Sequence, residues 1–429
     1  MILIDNALKK REQNNNPIKV AIIGAGEMAK GIINQLTKYS PGIVVVVTYN
    51  RTIEKAVKVY KTVGIKKYKI VDTTSDLEKS IKNGITAITQ NIDSVCEAKG
   101  IDVIVEVTGT IEFAASTIIK AFNNGKNVLS FNVEIDATLG PILKQKAAEA
   151  GVKYSVADGD QPGVTLNLYR FVKSMGFEPL LCGNIKGLQD HYRNPTTQKS
   201  FAAQWEMTPE MVTSFADGTK ISFEQACIAN ATGMKVAKRG MYGHYSKEHV
   251  DDLTHLYDID ELKELGGIVD YIVGAKPGPG VFIYATTNDP IAIKYLNYGK
   301  LGKGPLYSFY VPYHLLFFEI ANSICRLIDF DDVIITADKG IVVDVVTTAK
   351  VSMQKGDIID GLGGYKTYGV CENHTVSENE NLLSMGLAEG CIVTKNIEKD
   401  QVLTYNDIEL PIGRLCDKLK NEQNKLNFK

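Results

Sequence analysis

The stretch from Ile18 to Lys38, IKVAIIGAGEMAKGIINQLTK, constrains the fold more than any other part of the chain. Ile18 to Ile23 are mostly β-branched or apolar and predict a short buried strand. Met28, Ile32, Ile33 and Leu36 recur at three- and four-residue steps, the spacing of an amphipathic helix. Between them Gly24, Gly26 and Ala29 stand in the order G-x-G-x-x-A. A tight turn needs a residue tolerant of positive φ, which Gly24 supplies. A pyrophosphate must approach bare backbone, which Gly26 permits, and a helix lying close on a strand needs a small side chain, Ala29. The first helical N–H groups then face two phosphates. Strand, glycine turn and helix in this order predict a dinucleotide-binding unit, with Glu27 and Met28 on the same turn as cofactor-binding candidates.

At 429 residues the chain is too long for one ordinary core, and two or three domains are expected. A formal net charge of -2, with lysines and arginines spread out, gives no reason to expect nucleic acid as a partner. No apolar run reaches the length of a membrane span, and Met1 to Pro17 is polar. The 7 cysteines are scattered, without a C-x-x-C pair, which speaks for a reducing cytoplasm and against a zinc site. The expectation is a cytoplasmic protein that handles a small molecule, with no membrane partner.

Along the chain, Leu3 to Gln13 predicts a polar helix and Ile43 to Tyr49 a second strand. That strand runs into Asn50-Arg51-Thr52. No carboxylate stands there to accept from ribose hydroxyls, and a guanidinium suits a 2′-phosphate, so NADP is favoured with NAD as the alternative. The segment from Lys61 to Ala98 interrupts the alternation, with helices near Ser75 to Lys82 and Ile92 to Ala98 around a strand at Ala87 to Thr89. The pattern returns with strands at Asp102 to Val107, Asn127 to Phe131 and Lys153 to Val156, and helices at Glu112 to Asn123 and Leu139 to Ala150. Ligands of open α/β sheets lie beyond the carboxyl ends of the strands. Thr108, Gly109, Asn132 and Glu134 therefore fall where a nicotinamide ring is expected.

From about Asp158 to Phe330 the chain is richer in strand patterns and isolated glycines. A helix over Val164 to Met175 leads to a strand over Pro179 to Lys186 and a polar loop, Gly187 to Pro195. Turns at Lys276-Pro277-Gly278 and Lys303-Gly304-Pro305 carry cations, and His314 precedes a helix over Leu315 to Leu327. Beyond Ile334, short strands at Val342 to Val346, Gly390 to Thr394 and Gln401 to Thr404 suggest a β-rich module, and Ile412 to Leu426 a final helix. The expected fold is α/β, in three parts. A Rossmann doubly wound parallel sheet spans 1–157, an α+β substrate and dimerisation domain 158–333, and a small β-rich domain 334–429.

GAGEMAKG at Gly24 to Gly31, VEVTGT at Val105 to Thr110, GKNVLSFNVEID at Gly125 to Asp136 and ADGDQPG at Ala157 to Gly163 are joined by CIANATGM, VGAKPGPGVF and GKGPLYSFYVPYHL further on. Together they resemble the homoserine dehydrogenase-like oxidoreductases with a C-terminal SAF domain. The GKGP…PYHL and NVE segments are similar to the 1-deoxy-D-xylulose 5-phosphate reductoisomerase-like branch, which uses NADPH. True homoserine dehydrogenases place a lysine directly after the strand-end asparagine. Here Asn132 is followed by Val133 and Glu134, which weighs against homoserine as substrate.

The resemblance implies hydride transfer between a nicotinamide and a carbonyl or hydroxyl of a small polar, anionic or sugar-like substrate, in a homodimer or homotetramer. Such chemistry needs a proton donor near the developing alkoxide. Lys186, at a strand end facing the cofactor in the family's arrangement, is the first candidate. Asp160 and Asp190 could orient it or hold a divalent metal, and His314 is a further catalytic candidate. Arg193 suits a bidentate grip on phosphate or carboxylate. Lys276 and Lys303 suit substrate anions, and Glu134 could move protons or bind a ribose. The alternatives are a metal-dependent reductoisomerase, homoserine dehydrogenase proper, or a non-catalytic nicotinamide sensor.

Overall fold

The structure of the protein, a computed structural model, describes residues 2–426. The chain divides into two compact units. The first comprises residues 2–160, Leu315–Thr336 and Lys418–Leu426, and the second comprises Gln161–His314 and Ala337–Asp417. Among the described residues no helix is long and apolar enough to cross a membrane.

The first unit is an α/β sandwich. Its strands are β1 (Ile18–Ile23), β2 (Ile43–Tyr49), β3 (Tyr68–Ile70), β4 (Thr86–Thr89), β5 (Val103–Glu106), β6 (Asn127–Ser130) and β7 (Tyr154–Val156). They form one parallel sheet in the order β3-β4-β2-β1-β5-β6-β7. The helices are α1 (Ile2–Gln13), α2 (Glu27–Tyr39), α3 (Ile53–Val63), α4 (Thr74–Lys82), α5 (Ile92–Glu97), α6 (Ile111–Asn123) and α7 (Val133–Glu149). Strand order reverses between β1 and β5, which opens the crevice that doubly wound sheets use for ligands. Helices cover both faces, so β1 buries Ile18, Val20, Ala21, Ile22 and Ile23 without alternation. Ala29, Ile32, Ile33 and Leu36 of α2 pack into the same core, each of the larger three contributing about 1.5–3 kcal/mol.

Two local expectations need correction here. Residues 53–70 carry α3 and β3, which continue the alternation that the sequence reading left open. Their signal is Ala56, Val59, Tyr60 and Val63, buried at helical spacing on α3. The helix expected from Leu139 begins at Val133, because Pro141 suits the first turn of a helix yet lies inside this one. The Asn132 side chain caps α7 by accepting from Ile135 N at 3.1 Å. Around the proline, the Gln423 amide accepts from Ile142 N (3.2 Å) and donates to Thr138 O (3.0 Å), the pair that an ordinary helical bond would join.

The second unit is built on a mixed sheet in the order β12-β11-β8-β10-β9. Helix α8 (Gln161–Ser174) leads to β8 (Glu178–Lys186). Helices α9 (Pro195–Gln204), α10 (Pro209–Asp217) and α11 (Thr219–Thr232) follow, then β9 (His244–Tyr245), β10 (Ile268–Val273), β11 (Gly280–Thr286) and β12 (Tyr307–Val311). An antiparallel pair, β13 (Val343–Ala349) and β14 (Thr367–Asn373), carries the C-terminal part. Residues 195–232, to which the sequence reading gave no element, hold these three helices. Gln401 to Thr404 forms only single bridges, Val402 to Thr348 and Thr404 to Leu382. The helix expected over Leu315 to Leu327 splits into a 3-10 turn, Leu316–Glu319, and a helix, Ile320–Asp329.

Candidate active site

At the nucleotide end of the first unit, β1 finishes at Ile23 and Gly24 takes φ +127, a conformation closed to side chains. A Cβ there would also stand 3.0 Å from Val107 Cγ2. Gly26 is different. Its φ is -85 and a Cβ would meet nothing within 4 Å. Nothing in the protein itself requires glycine at 26, so the open space above the α2 N-terminus is the cradle that a pyrophosphate would fill. Ala29 is fully buried against the sheet, while Glu27 is exposed and Met28 half-buried. At the end of β2, the Asn50 side chain donates to Thr52 O at 2.7 Å and closes the turn, leaving Arg51 exposed. The residues fit a nicotinamide dinucleotide.

Glu106, the last residue of β5, is a feature the sequence reading did not single out. It is fully buried. Its Oε1 accepts from Thr108 N at 2.7 Å and from the Thr108 hydroxyl, while Oε2 is buried without a hydrogen bond of its own. Burial raises this carboxyl to about 7, against the pull of the Thr108 donors and the nearby Asn132 amide; the charge of Glu134 adds to the rise. Glu106 thereby fixes Thr108 through both its N–H and its hydroxyl. Asn132 is buried and donates to Thr110 O at 3.2 Å, and Glu134 sits half-buried in the first turn of α7. Asp160 is buried at the last position of this stretch. A glutamate inside the run VIVE was the available signal, since a buried strand rarely carries an unpaired carboxyl.

In the second unit the C-terminal end of α10 gathers the polar groups. Lys186 ends β8 and donates from Nζ to Phe215 O at 2.8 Å. Burial lowers its pKa, opposed by the charges of Glu224 and Asp217. Asp190 N donates to Ala216 O at 2.8 Å, and the His191 ring lies 2.7 Å from Asp217 O through Nδ1. Arg193 donates from Nε to Asp190 Oδ2 at 3.0 Å. Lys186, Asp190 and Arg193 thus share one scaffold. Lys276 and Lys303 are exposed in their turns, and His314 is half-buried at the end of a segment of this unit. Cys182, on β8, is buried and its thiol is pushed up by burial, so it has no nucleophilic character. Asp217, Glu224 and Lys350 are further charged residues missed in the sequence, where nothing in their spacing ties them to Lys186.

Residues 24–157 match the family model described as the homoserine dehydrogenase NAD binding domain, and residues 159–320 match the catalytic domain of oxidoreductase DRL. The chain is an oxidoreductase with a nicotinamide-dinucleotide-binding domain. A homoserine dehydrogenase of Pseudomonas aeruginosa is 30% identical over 136 residues, which are 32% of this chain and 28% of that protein. The chain therefore spans under a third of that relative's length. Among solved structures, the oxidoreductase is similar to a scyllo-inositol dehydrogenase from Lactobacillus casei with bound NAD(H) and scyllo-inositol. That likeness has 14% identity and a TM-score of 0.40, over 75% of this chain and 92% of the other. A myo-inositol dehydrogenase from Lactobacillus casei is 13% identical with a TM-score of 0.40, over 68% and 74% of the two chains. Likeness of that degree bears on neither substrate nor mechanism.

Among the described residues no group of three or more His, Cys, Asp or Glu side chains is assembled to hold a metal ion. The described residues therefore do not form a ready donor set.

Proposed function

We propose that the oxidoreductase interconverts a carbonyl and a hydroxyl on a small anionic, sugar-like substrate, with NADPH preferred over NADH. The observation that carries this reading is Lys186, a half-exposed residue whose ammonium is largely buried at a strand end and held by Phe215 O at 2.8 Å. The bound nicotinamide supplies or accepts the hydride. Of the three ammonium donors on Lys186, one is taken by Phe215 O and two remain for a substrate oxygen. Burial lowers its pKa and eases release of the proton, while the negative charges of Glu224 and Asp217 oppose that shift and favour the protonated form. In reduction, the carbonyl oxygen takes a proton from Nζ as hydride reaches the carbon. In oxidation, the neutral amine takes the hydroxyl proton back. Arg193, its Nε turned to Asp190, keeps its remaining donors for a phosphate or carboxylate.

A second reading, a reductoisomerase acting on 1-deoxy-D-xylulose 5-phosphate, is favoured by the GKGP…PYHL resemblance at Gly302 to Leu315. Substrate-dependent oxidation of NADPH and NADH separates these. The panel contains 1-deoxy-D-xylulose 5-phosphate, aspartate semialdehyde and keto- and aldo-sugar acids, each with and without magnesium or manganese. Metal-independent turnover of an anionic carbonyl supports the first reading, and metal-dependent turnover of the sugar phosphate supports the second. Rapid turnover of aspartate semialdehyde alone would show that Val133 does not exclude homoserine chemistry. Tight NADPH binding with no turnover at all would favour a sensor.

A further inference from the structure

Lys350 follows β13 directly and is 3% exposed. Its ammonium makes three hydrogen bonds: to Asp217 Oδ2 at 2.9 Å, Arg193 O at 2.7 Å and Gly364 O at 2.9 Å. All three of its donors are used, which is what a buried ammonium requires. Neighbouring residues of the C-terminal part hold the same loop. The Tyr192 hydroxyl bonds Asp400 at 3.0 Å, the Lys399 ammonium lies 3.7 Å above the Tyr192 ring, and Tyr368 stacks on His191 with ring centres 4.5 Å apart. All these partners lie beyond residue 320, where the catalytic-domain match ends.

We propose that residues 343–400 are a positioning element for the substrate-binding loop at 189–195, with Lys350 as the pin that fixes Arg193 and Asp217. The role of that loop rests on the proposed function. Three acceptors converge on Lys350 from three chain segments. An apolar side chain there would strand a buried carboxylate and two carbonyls, and the planar fork of arginine cannot aim three donors at them. Lys350 also neutralises Asp217, whose charge acts on Lys186. Without it, Lys186 holds its proton more tightly, and the basic limb of the pH–rate profile moves to higher pH.

The test is hydrogen exchange by mass spectrometry on the full chain, comparing wild type, Lys350→Met and Lys350→Arg. The expected result is exchange at least tenfold faster over 187–204 in Lys350→Met and an intermediate rate in Lys350→Arg. Peptides over 18–39 should stay within twofold of wild type, and the basic limb of the pH–rate profile should move upward. Exchange over 187–204 within twofold of wild type overturns the proposal. Should Lys350→Met lose its fold throughout, Tyr192→Phe decides, because it removes only the hydroxyl bound to Asp400. Exchange threefold or more faster and confined to 187–204 supports the proposal, and unchanged exchange there refutes it. Turnover retained in Lys186→Met would sink the functional reading while leaving the exchange result standing.

Discussion

At Glu106, burial and hydrogen bonding pull the carboxyl in opposite directions, and burial wins. The group ionises at about 7 in the folded protein, against 4.5 as its ordinary value. Below about pH 4.5 both folded and unfolded chains hold the proton, and its contribution to stability is fully present. As pH rises through 7 the unfolded chain has lost the proton first, and stability falls by about 3 kcal/mol in order of magnitude. Glu106→Gln should therefore abolish most of that slope in urea unfolding measured between pH 5 and pH 8. A slope identical to wild type would mean that Glu106 does not titrate there. The proposed NADPH preference places its test on Arg51 at the same scale. Arg51→Ala should weaken NADPH binding at least tenfold while leaving NADH within twofold, as measured by fluorescence titration. Equal losses for both would show that Arg51 does not meet the 2′-phosphate.

Among the elements, α7 combines a strong cap with a weak point. Pro141 removes one donor from its ladder, and the buried Gln423 amide spans Ile142 N and Thr138 O beside it. Gln423→Ala would leave two buried backbone groups with poorer partners, at about 1–3 kcal/mol. The expected outcome is a lower unfolding midpoint in denaturant with an unchanged slope. No change would mean that the helix closes this pair by itself. The same helix marks where the sequence was legible. β1, β2 and α2 could be read residue by residue, because a doubly covered sheet demands unbroken apolar strands and one helix face. The α7 start could not, because Pro141 has the look of a first-turn proline and the partner that lets it sit inside the helix lies 281 residues away. Over 195–232 the legible signal is turn chemistry rather than periodicity. Asn194-Pro195 and Thr208-Pro209 are helix-start signals, and Asn194 does form a capping box with Thr197. α11 hides its pattern because nearly all of its residues are buried, small and polar ones included.

At the scale of the whole molecule, the glycine turn at Gly24 to Ala29 lies in one compact unit and the Lys186 group in the other. The cofactor cradle was legible in the sequence because a short, contiguous motif carries it. The Lys186 environment was legible only in part. Lys186, Asp190 and Arg193 lie within 8 positions of one another, but Asp217, Glu224 and Lys350 reach them through folding alone. The central claim, that Lys186 moves the proton in a hydride transfer, is tested most directly by turnover and NADPH affinity of Lys186→Met measured side by side. The account predicts kcat reduced by roughly 10²–10⁴-fold with the NADPH dissociation constant within twofold of wild type. Turnover within a few-fold of wild type at unchanged affinity would contradict it.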